Sequence, residues 1–367
     1  MKFKCSKSVL YEAITNVSKA VPAKSNIAAL EGIRLTLSEN SLELTGYDME
    51  LGIKTTIDVN SEDSVEFVIN SRLFTEIIRR MSSDEIFIEI DQMLNVTISS
   101  NMTRYNISAI PSDEYPDFPK IDTDTDIRIQ QHILKNMINQ TNYAVSLNDN
   151  KPILTGELFD IENGLFRMVA IDGFRLAIRS EQIKCYNNFN FVVPSKTLNE
   201  VARILSDDED KECRIFSNSK HIIFEISGYY VVSRLLEGEF HNYKASIPSD
   251  FNTEIILKTK EYTESIERCS LLINEKNKCP VKCIFKDENI KIGCKTGIGK
   301  IDDSIPAEIN GNDIEIGFNN KFLLDALKVC DTDKIKMQLI APNRPVKIVP
   351  LIGESFMFLL MPIQLNN

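Results

Sequence analysis

Histidine is almost missing from this sequence: His132, His221 and His241 are all there is in 367 residues. That scarcity leaves little room for histidine-based acid–base work or for a zinc site. No nucleophile elbow and no His-Glu-x-x-His string occurs. The nearest approach to a phosphate loop is Gly293 to Lys300, with its outer glycines one residue too far apart. Ile301 also stands where a Ser or Thr should bind magnesium, so the stretch reads as strand and turn. Apolar runs long enough to span a membrane are absent. The start, M-K-F-K-C-S-K, carries charge with no apolar stretch behind it, so no secretory signal is expected. The eight cysteines lack paired spacing. Reduced thiols and a cytoplasmic location follow as expectations. Cys279, Cys283 and Cys294 lack a fourth zinc ligand and read as buried thiols. Asp207 to Asp210 reads as a solvated loop. No cofactor, no metal and no catalytic set is expected.

A basic footprint is absent too. The net charge is −11, which on average argues against a nucleic-acid partner. Distribution decides more than the average. With 43% hydrophobic residues, a chain of this length can build the cores of two or three domains.

What is present is repetition. Lys2–Cys5 reads as a strand, and Val9, Leu10, Ala13, Ile14 and Val17 form one helical stripe, with Ser6 or Ser8 as N-cap. Three strand-like runs follow, and then the order recurs: strand Val65–Ile69, helix Ser71–Met81 and three strands. The proline-rich run Pro111–Pro119 closes this domain. A second begins near Ile127, with helix Gln131–Ala144 placing Ile133, Met137, Ile138 and Thr141 inward, and a second helix at Ser195–Leu205. A third begins near Glu254, with helices Thr259–Leu272 and Asn319–Val329. The fold class is α+β: three domains, 1–122, 123–249 and 250–367, each of two strand–helix–three-strand halves.

Near the middle lies F-R-M-V-A-I-D-G-F-R-L-A-I-R, Phe166 to Arg179. Asp172-Gly173 between two apolar runs is a strong hairpin signal, because Gly takes positive φ without steric cost. The turn sets Phe174 and Arg175 side by side.

The second helix of each domain repeats one pattern: Arg72, Glu76, Arg79; Lys196, Glu200, Arg203; Lys321, Asp325, Lys328. These offsets share one helix face. The opposite face is apolar each time: Leu73, Phe74, Ile77 and Ile78; Leu198, Val201, Ala202 and Leu205; Phe322, Leu323, Ala326 and Leu327. The six predicted helices together carry +4 of the total −11, which leaves −15 on the rest. Basic helices on an acidic body suit a polyanion held on the helix side and repelled elsewhere.

The chain resembles the β subunit of bacterial DNA polymerase III, the sliding clamp. The resemblance rests on M-K-F at the start, T-G-Y-D-M-E-L at Thr45–Leu51, V-A-I-D-G-F-R-L-A at Val169–Ala177, V-P-S-K at Val193–Lys196, E-I-G-F-N at Glu315–Asn319 and the terminal M-P-I-Q-L. It implies a DNA clamp fold and a head-to-tail homodimer closed into a ring. Sheets would lie outside, and helices would line a hole that encircles double-stranded DNA without reading its sequence. Lys24, Arg72, Arg79, Lys151, Lys196 and Arg203 match DNA-facing positions. Leu271 and Leu272 would meet the other subunit near Phe74 and Ile107. A groove for short peptides of the replicative polymerase, clamp loader and other clamp-binding proteins would comprise Leu154, Ile171, Gly173, Phe174, Arg175, Leu176, His241, Pro345, Leu359, Met361, Pro362 and Ile363.

The chain departs from the family pattern at that groove. Phe174 replaces a His, His241 a Pro, and Ala245 and Gln364 each an Arg, while Asn366-Asn367 extend past the usual end. Two lost cations and an added aromatic should favour a more apolar ligand, less sensitive to acidic flanks. Two rival readings stand beside the clamp: a three-repeat scaffold that binds only proteins, and a hydrolase at the Phe174–Arg175 cleft. The scaffold predicts no effect of salt or DNA topology, and the hydrolase offers only Asp172 as its acid.

Overall fold

Six times the chain writes strand, helix, three strands. The first half is β1 (Lys2–Ser6), α1 (Lys7–Val17), β2 (Gly32–Ser38), β3 (Ser41–Tyr47) and β4 (Leu51–Asp58). The second is β5 (Val65–Asn70), α2 (Ser71–Arg80), β6 (Glu85–Ile90), β7 (Asn95–Ser100) and β8 (Thr103–Ser108). Next come β9 (Ile127–Gln130), α3 (Gln131–Thr141), β10 (Gly156–Glu162), β11 (Leu165–Ile171) and β12 (Arg175–Gln182). The fourth half is β13 (Phe189–Pro194), α4 (Ser195–Ile204), β14 (Glu212–Ser217), β15 (His221–Ile226) and β16 (Tyr229–Arg234). The fifth is β17 (Thr253–Lys258), α5 (Thr259–Ser270), β18 (Val281–Lys286), β19 (Asn289–Thr296) and β20 (Gly299–Pro306). After an added short strand, β21 (Glu308–Gly311), the sixth is β22 (Ile314–Phe318), α6 (Asn320–Lys328), β23 (Lys334–Leu339), β24 (Val346–Pro350) and β25 (Phe356–Leu360).

The computed structural model describes residues 1–119, 121, 126–148, 150–185, 187–274 and 279–365. The expected first boundary at 122/123 and the terminal Asn366-Asn367 lie outside the described residues. By contact the chain forms two units, an N-terminal one of 1–134 with 200–235 and a C-terminal one of 135–199 with 236–367. The N-terminal unit holds an eight-stranded sheet, β5-β2-β3-β4-β16-β15-β14-β9, and a four-stranded sheet, β1-β6-β7-β8. The C-terminal unit holds a nine-stranded sheet, β13-β10-β11-β12-β25-β24-β23-β17-β21, and a four-stranded sheet, β20-β19-β18-β22. Strands such as β6 alternate exposed and buried residues, as one-sided burial requires. No helix among the described residues is long and apolar enough to cross a membrane.

Helix packing follows the apolar stripes, with corrections at their margins. On α1, Leu10, Ala13, Ile14 and Val17 are buried, but Val9 is exposed. On α2, Phe74, Ile77 and Ile78 face the core and Leu73 does not. On α3 the inward residue is Leu134 rather than Ile133, because burial at Leu134, Met137, Ile138 and Thr141 keeps the three- and four-residue spacing. Ser6 precedes α1 without capping it, and its hydroxyl pairs with that of Ser8 at 2.9 Å. Side-chain caps are made instead by Asn70, accepting from the Leu73 N–H (3.1 Å), and Asn319, accepting from the Phe322 N–H (3.2 Å).

Candidate functional site

The Asp172-Gly173 turn is where the sequence places it, with Ile171 paired to Leu176 across it. Asp172 Oδ1 accepts from the backbone N–H groups of Phe174 (2.9 Å) and Arg175 (3.0 Å). Gly173 has φ +92°, and a Cβ there would meet nothing within 4 Å, so backbone conformation rather than space favours glycine. Leu176 then pairs with Leu359 of β25, which brings the chain's end alongside the hairpin. The Met361 N–H closes the junction by donating to the Phe174 carbonyl (2.8 Å).

These elements frame an apolar cavity of about 570 Å³. Its walls include Leu154, Ile171, Gly173, Phe174, Arg175, Leu176, His241, Pro345, Leu359 and Met361, ten of the twelve expected groove residues. Pro362 and Ile363 do not line it: the Ile363 N–H donates to the Gly317 carbonyl (2.7 Å), so the tail has already left for β22. Lys151, Ile153, Glu239 and Ser246 also line it and were not expected there, though Ile153 adjoins Leu154 in sequence. Phe174 is 62% exposed at the rim, an aromatic surface ready to be covered.

Arg175 lines the cavity but spends its guanidinium on the protein's own groups. Its guanidinium is buried, with Nε 2.9 Å from Asp172 and Nη1 2.7 Å from Asp325 of α6. It lies over the Phe322 ring at 4.4 Å and near Tyr143 at 5.3 Å. The hairpin is thus pinned to α6, and the cation serves the architecture of the wall. Burial holds the phenol of Tyr143 well above its ordinary pKa, and Tyr243 is raised by burial together with its bond to Asp160. Neither is a base at neutral pH.

The helix signature also resolves into geometry. Lys24, Arg72, Arg79, Lys151, Lys196 and Arg203 are all exposed. Arg79 pairs with Glu76 (2.7 Å) and Arg203 with Glu200 (2.8 Å), each one turn apart. In the third copy Asp325 is taken by Arg175, and Lys328 pairs with Glu267 at 3.0 Å. Of the expected subunit contacts, Leu271 is 80% exposed and Leu272 and Ile107 are half-buried. Phe74 is wholly buried in its own core and offers no surface.

Models of the DNA polymerase III β subunit match the N-terminal domain over residues 1–119, the central domain over 128–242 and the C-terminal domain over 244–364. The chain belongs to the DNA polymerase III β subunit family. It is 32% identical to the β sliding clamp of Bacillus subtilis strain 168, covering 99% of this chain and 100% of that protein. The crystal structure of the Bacillus subtilis DNA polymerase sliding clamp superposes with a TM-score of 0.96 over 100% of both chains, at 32% identity. The Thermotoga maritima DNA polymerase III β subunit superposes at 0.93 over 100% of both, at 25% identity.

Of the four substitutions expected from the resemblance, Phe174 and His241 line the cavity. Ala245 does not, and Gln364 lines another cavity of about 700 Å³ beside Lys282, Lys291, Lys295, Lys300 and Cys279. His241 Nε2 lies 3.1 Å from the Ser246 hydroxyl. Among the described residues no group of three or more His, Cys, Asp or Glu is placed to hold a metal. Burial pushes the thiols of Cys283 and Cys294 up to about 12, which keeps them protonated and inert.

Proposed function

We propose that two copies of this chain close head to tail into a ring around double-stranded DNA and tether the replicative polymerase and other DNA-processing proteins to it. The observation that carries the reading is the recurrence of one exposed cation pair, Arg72 with Arg79 and Lys196 with Arg203, at one place in the repeat. Cations at repeated positions contact phosphates without reading bases, and such contacts permit sliding. Each pair is half-neutralised by the intervening Glu76 or Glu200, which keeps the grip weak.

Two strand edges, unpaired among the described residues, support ring closure. β8 ends one four-stranded sheet and β20 the other, and the exposed Leu271 follows α5. An edge with unpaired N–H and C=O groups is a template for a second chain, and a first-to-third contact closes under two-fold rotation. The apolar cavity beside Phe174 supports a groove for peptides with a Gln and a Leu- or Phe-type end, taken by the polymerase, the clamp loader and other partners in the cytoplasm. The protein performs no chemistry of its own.

The test is topological. Loaded on a closed DNA circle, the protein stays bound in moderate salt and is lost when the circle is cut. A linear fragment binds weakly, without sequence preference and with steep salt dependence. Equal retention on linear and circular DNA at high salt sinks the reading.

A further inference from the structure

The N-terminal unit repeats the hairpin that frames the cavity of the C-terminal unit, and here Phe118 covers the floor, leaving a cleft of about 570 Å³ beside Phe118, Lys54 and Tyr230. Tyr47 pairs with Gly52 across the turn 48–51, as Ile171 pairs with Leu176 across 172–175. Gly52 then pairs with Val232 of β16, as Leu176 pairs with Leu359 of β25. The turns are built alike. Asp48 Oδ1 accepts from the N–H groups of Glu50 (3.0 Å) and Leu51 (2.7 Å), and Met49 takes φ +74° where Gly173 takes +92°.

The segments that follow each second sheet also correspond. Ile110 bridges to Val68, and Leu236 bridges to Val192. Each leads to a buried tyrosine: Tyr115 clusters with Tyr47 and Val68, Tyr243 with Ile171 and Val192. Three residues past these tyrosines the two copies diverge, to Phe118 in one and Ser246 in the other. Ser246 lines the open cavity. Phe118 lies over Gly52, where a Cβ would come within 2.6 Å of its Cε2 atom and 3.0 Å of Val232 Cγ1. Its ring centroid is 5.8 Å from that of Tyr47 and 6.1 Å from that of Tyr230, and Lys54 Nζ stands 5.4 Å from it. The two exchanges are complementary: a floor leucine reduced to glycine makes the room that a linker phenylalanine fills.

We propose that the N-terminal unit holds a second peptide groove, closed by Phe118 as a built-in ligand, which takes an aromatic-ended peptide when that ring is removed. This rests on reading the C-terminal cavity as a peptide groove. A half-buried ring with aromatic and cationic neighbours is the kind of anchor that dominates peptide recognition, so the site is occupied from within rather than lacking.

Calorimetric titration of the full chain with a peptide carrying Gln and a Leu-Phe end tests this. The native chain binds roughly one peptide per chain and Phe118→Ser roughly two, as expected for one open and one opened pocket. The reciprocal Ser246→Phe fills the C-terminal cavity and weakens the native site by about tenfold or more. No binding to the native chain overturns the groove reading itself and this inference with it. One site in the native chain and still one in a folded Phe118→Ser overturns the second groove alone. If Phe118→Ser does not fold unaided, acetylated Tyr-Pro-Asp-Phe-Pro amide, the chain's own linker sequence, supplies the missing ring. Recovery of its thermal transition by millimolar peptide supports the proposal, and absence of recovery overturns it.

Discussion

Glu157 makes the stability of the folded protein depend on pH. It lies on β10, wholly buried, and accepts a hydrogen bond from the Thr141 hydroxyl, while its Oε1 has no hydrogen-bond partner among the described residues. Burial raises its pKa from 4.5 to about 8, against the opposing effect of the Thr141 bond. The folded state therefore keeps a proton that the unfolded chain releases above pH 4.5. The protonated carboxyl costs least below that pH, and stability falls as pH rises toward about 8. Glu157→Gln keeps the shape and cannot ionise. It should stabilise the protein by about 1–3 kcal/mol at pH 7–8, with the gain vanishing near pH 4.5. Chemical denaturation at both pH values checks this; equal gains at both would show that ionisation is not the cause. Nothing in the local sequence G-E-L-F-D-I-E marks Glu157 as buried, because a strand covered on both faces lacks the alternation that reveals facing.

At the scale of elements, the helices were the most legible feature, since amphipathic stripes and their repetition place both their number and their inner faces. What the stripes left open was the margin of each face, where Val9 and Leu73 are exposed and Ile133 is only half-buried. The end of α5 is such a margin with a consequence. Leu271, 80% exposed, follows a helix whose inward residues are already Tyr262, Ile266 and Cys269. Covering Leu271 in a subunit contact would contribute about 2 kcal/mol, and the half-buried Leu272 less. Leu271→Glu with Leu272→Glu should convert a dimer into monomers at micromolar concentration while leaving the helix content unchanged. Sedimentation velocity reads the outcome, and a persistent dimer places the interface elsewhere.

At the scale of the whole molecule, the C-terminal tail completes the cavity wall through Leu359 and Met361 before it joins Gly317. Deleting Met361–Asn367 should reduce affinity for a Gln/Leu/Phe-bearing peptide by about a hundredfold, as loss of a wall and its anchors implies. DNA retention on circles should be unchanged. Fluorescence anisotropy with labelled peptide measures the first and gel filtration on closed and linearised circles the second. Undiminished peptide binding would move the site away from the tail. The sequence by itself determined the class, the repeated half, the six helices and the Asp172-Gly173 turn, because each depends on local spacing and on conformations only certain residues adopt. Most of the cavity's lining residues were named through the resemblance, motif by motif. Tertiary structure alone decided three things: that Arg175 turns inward to Asp325, that the tail leaves the cavity after Met361, and that Phe118 covers Gly52. Each is a meeting of residues remote in the chain or across a strand pair, settled by which charge is buried and which space is left. Periodicity along one segment carries no record of such meetings.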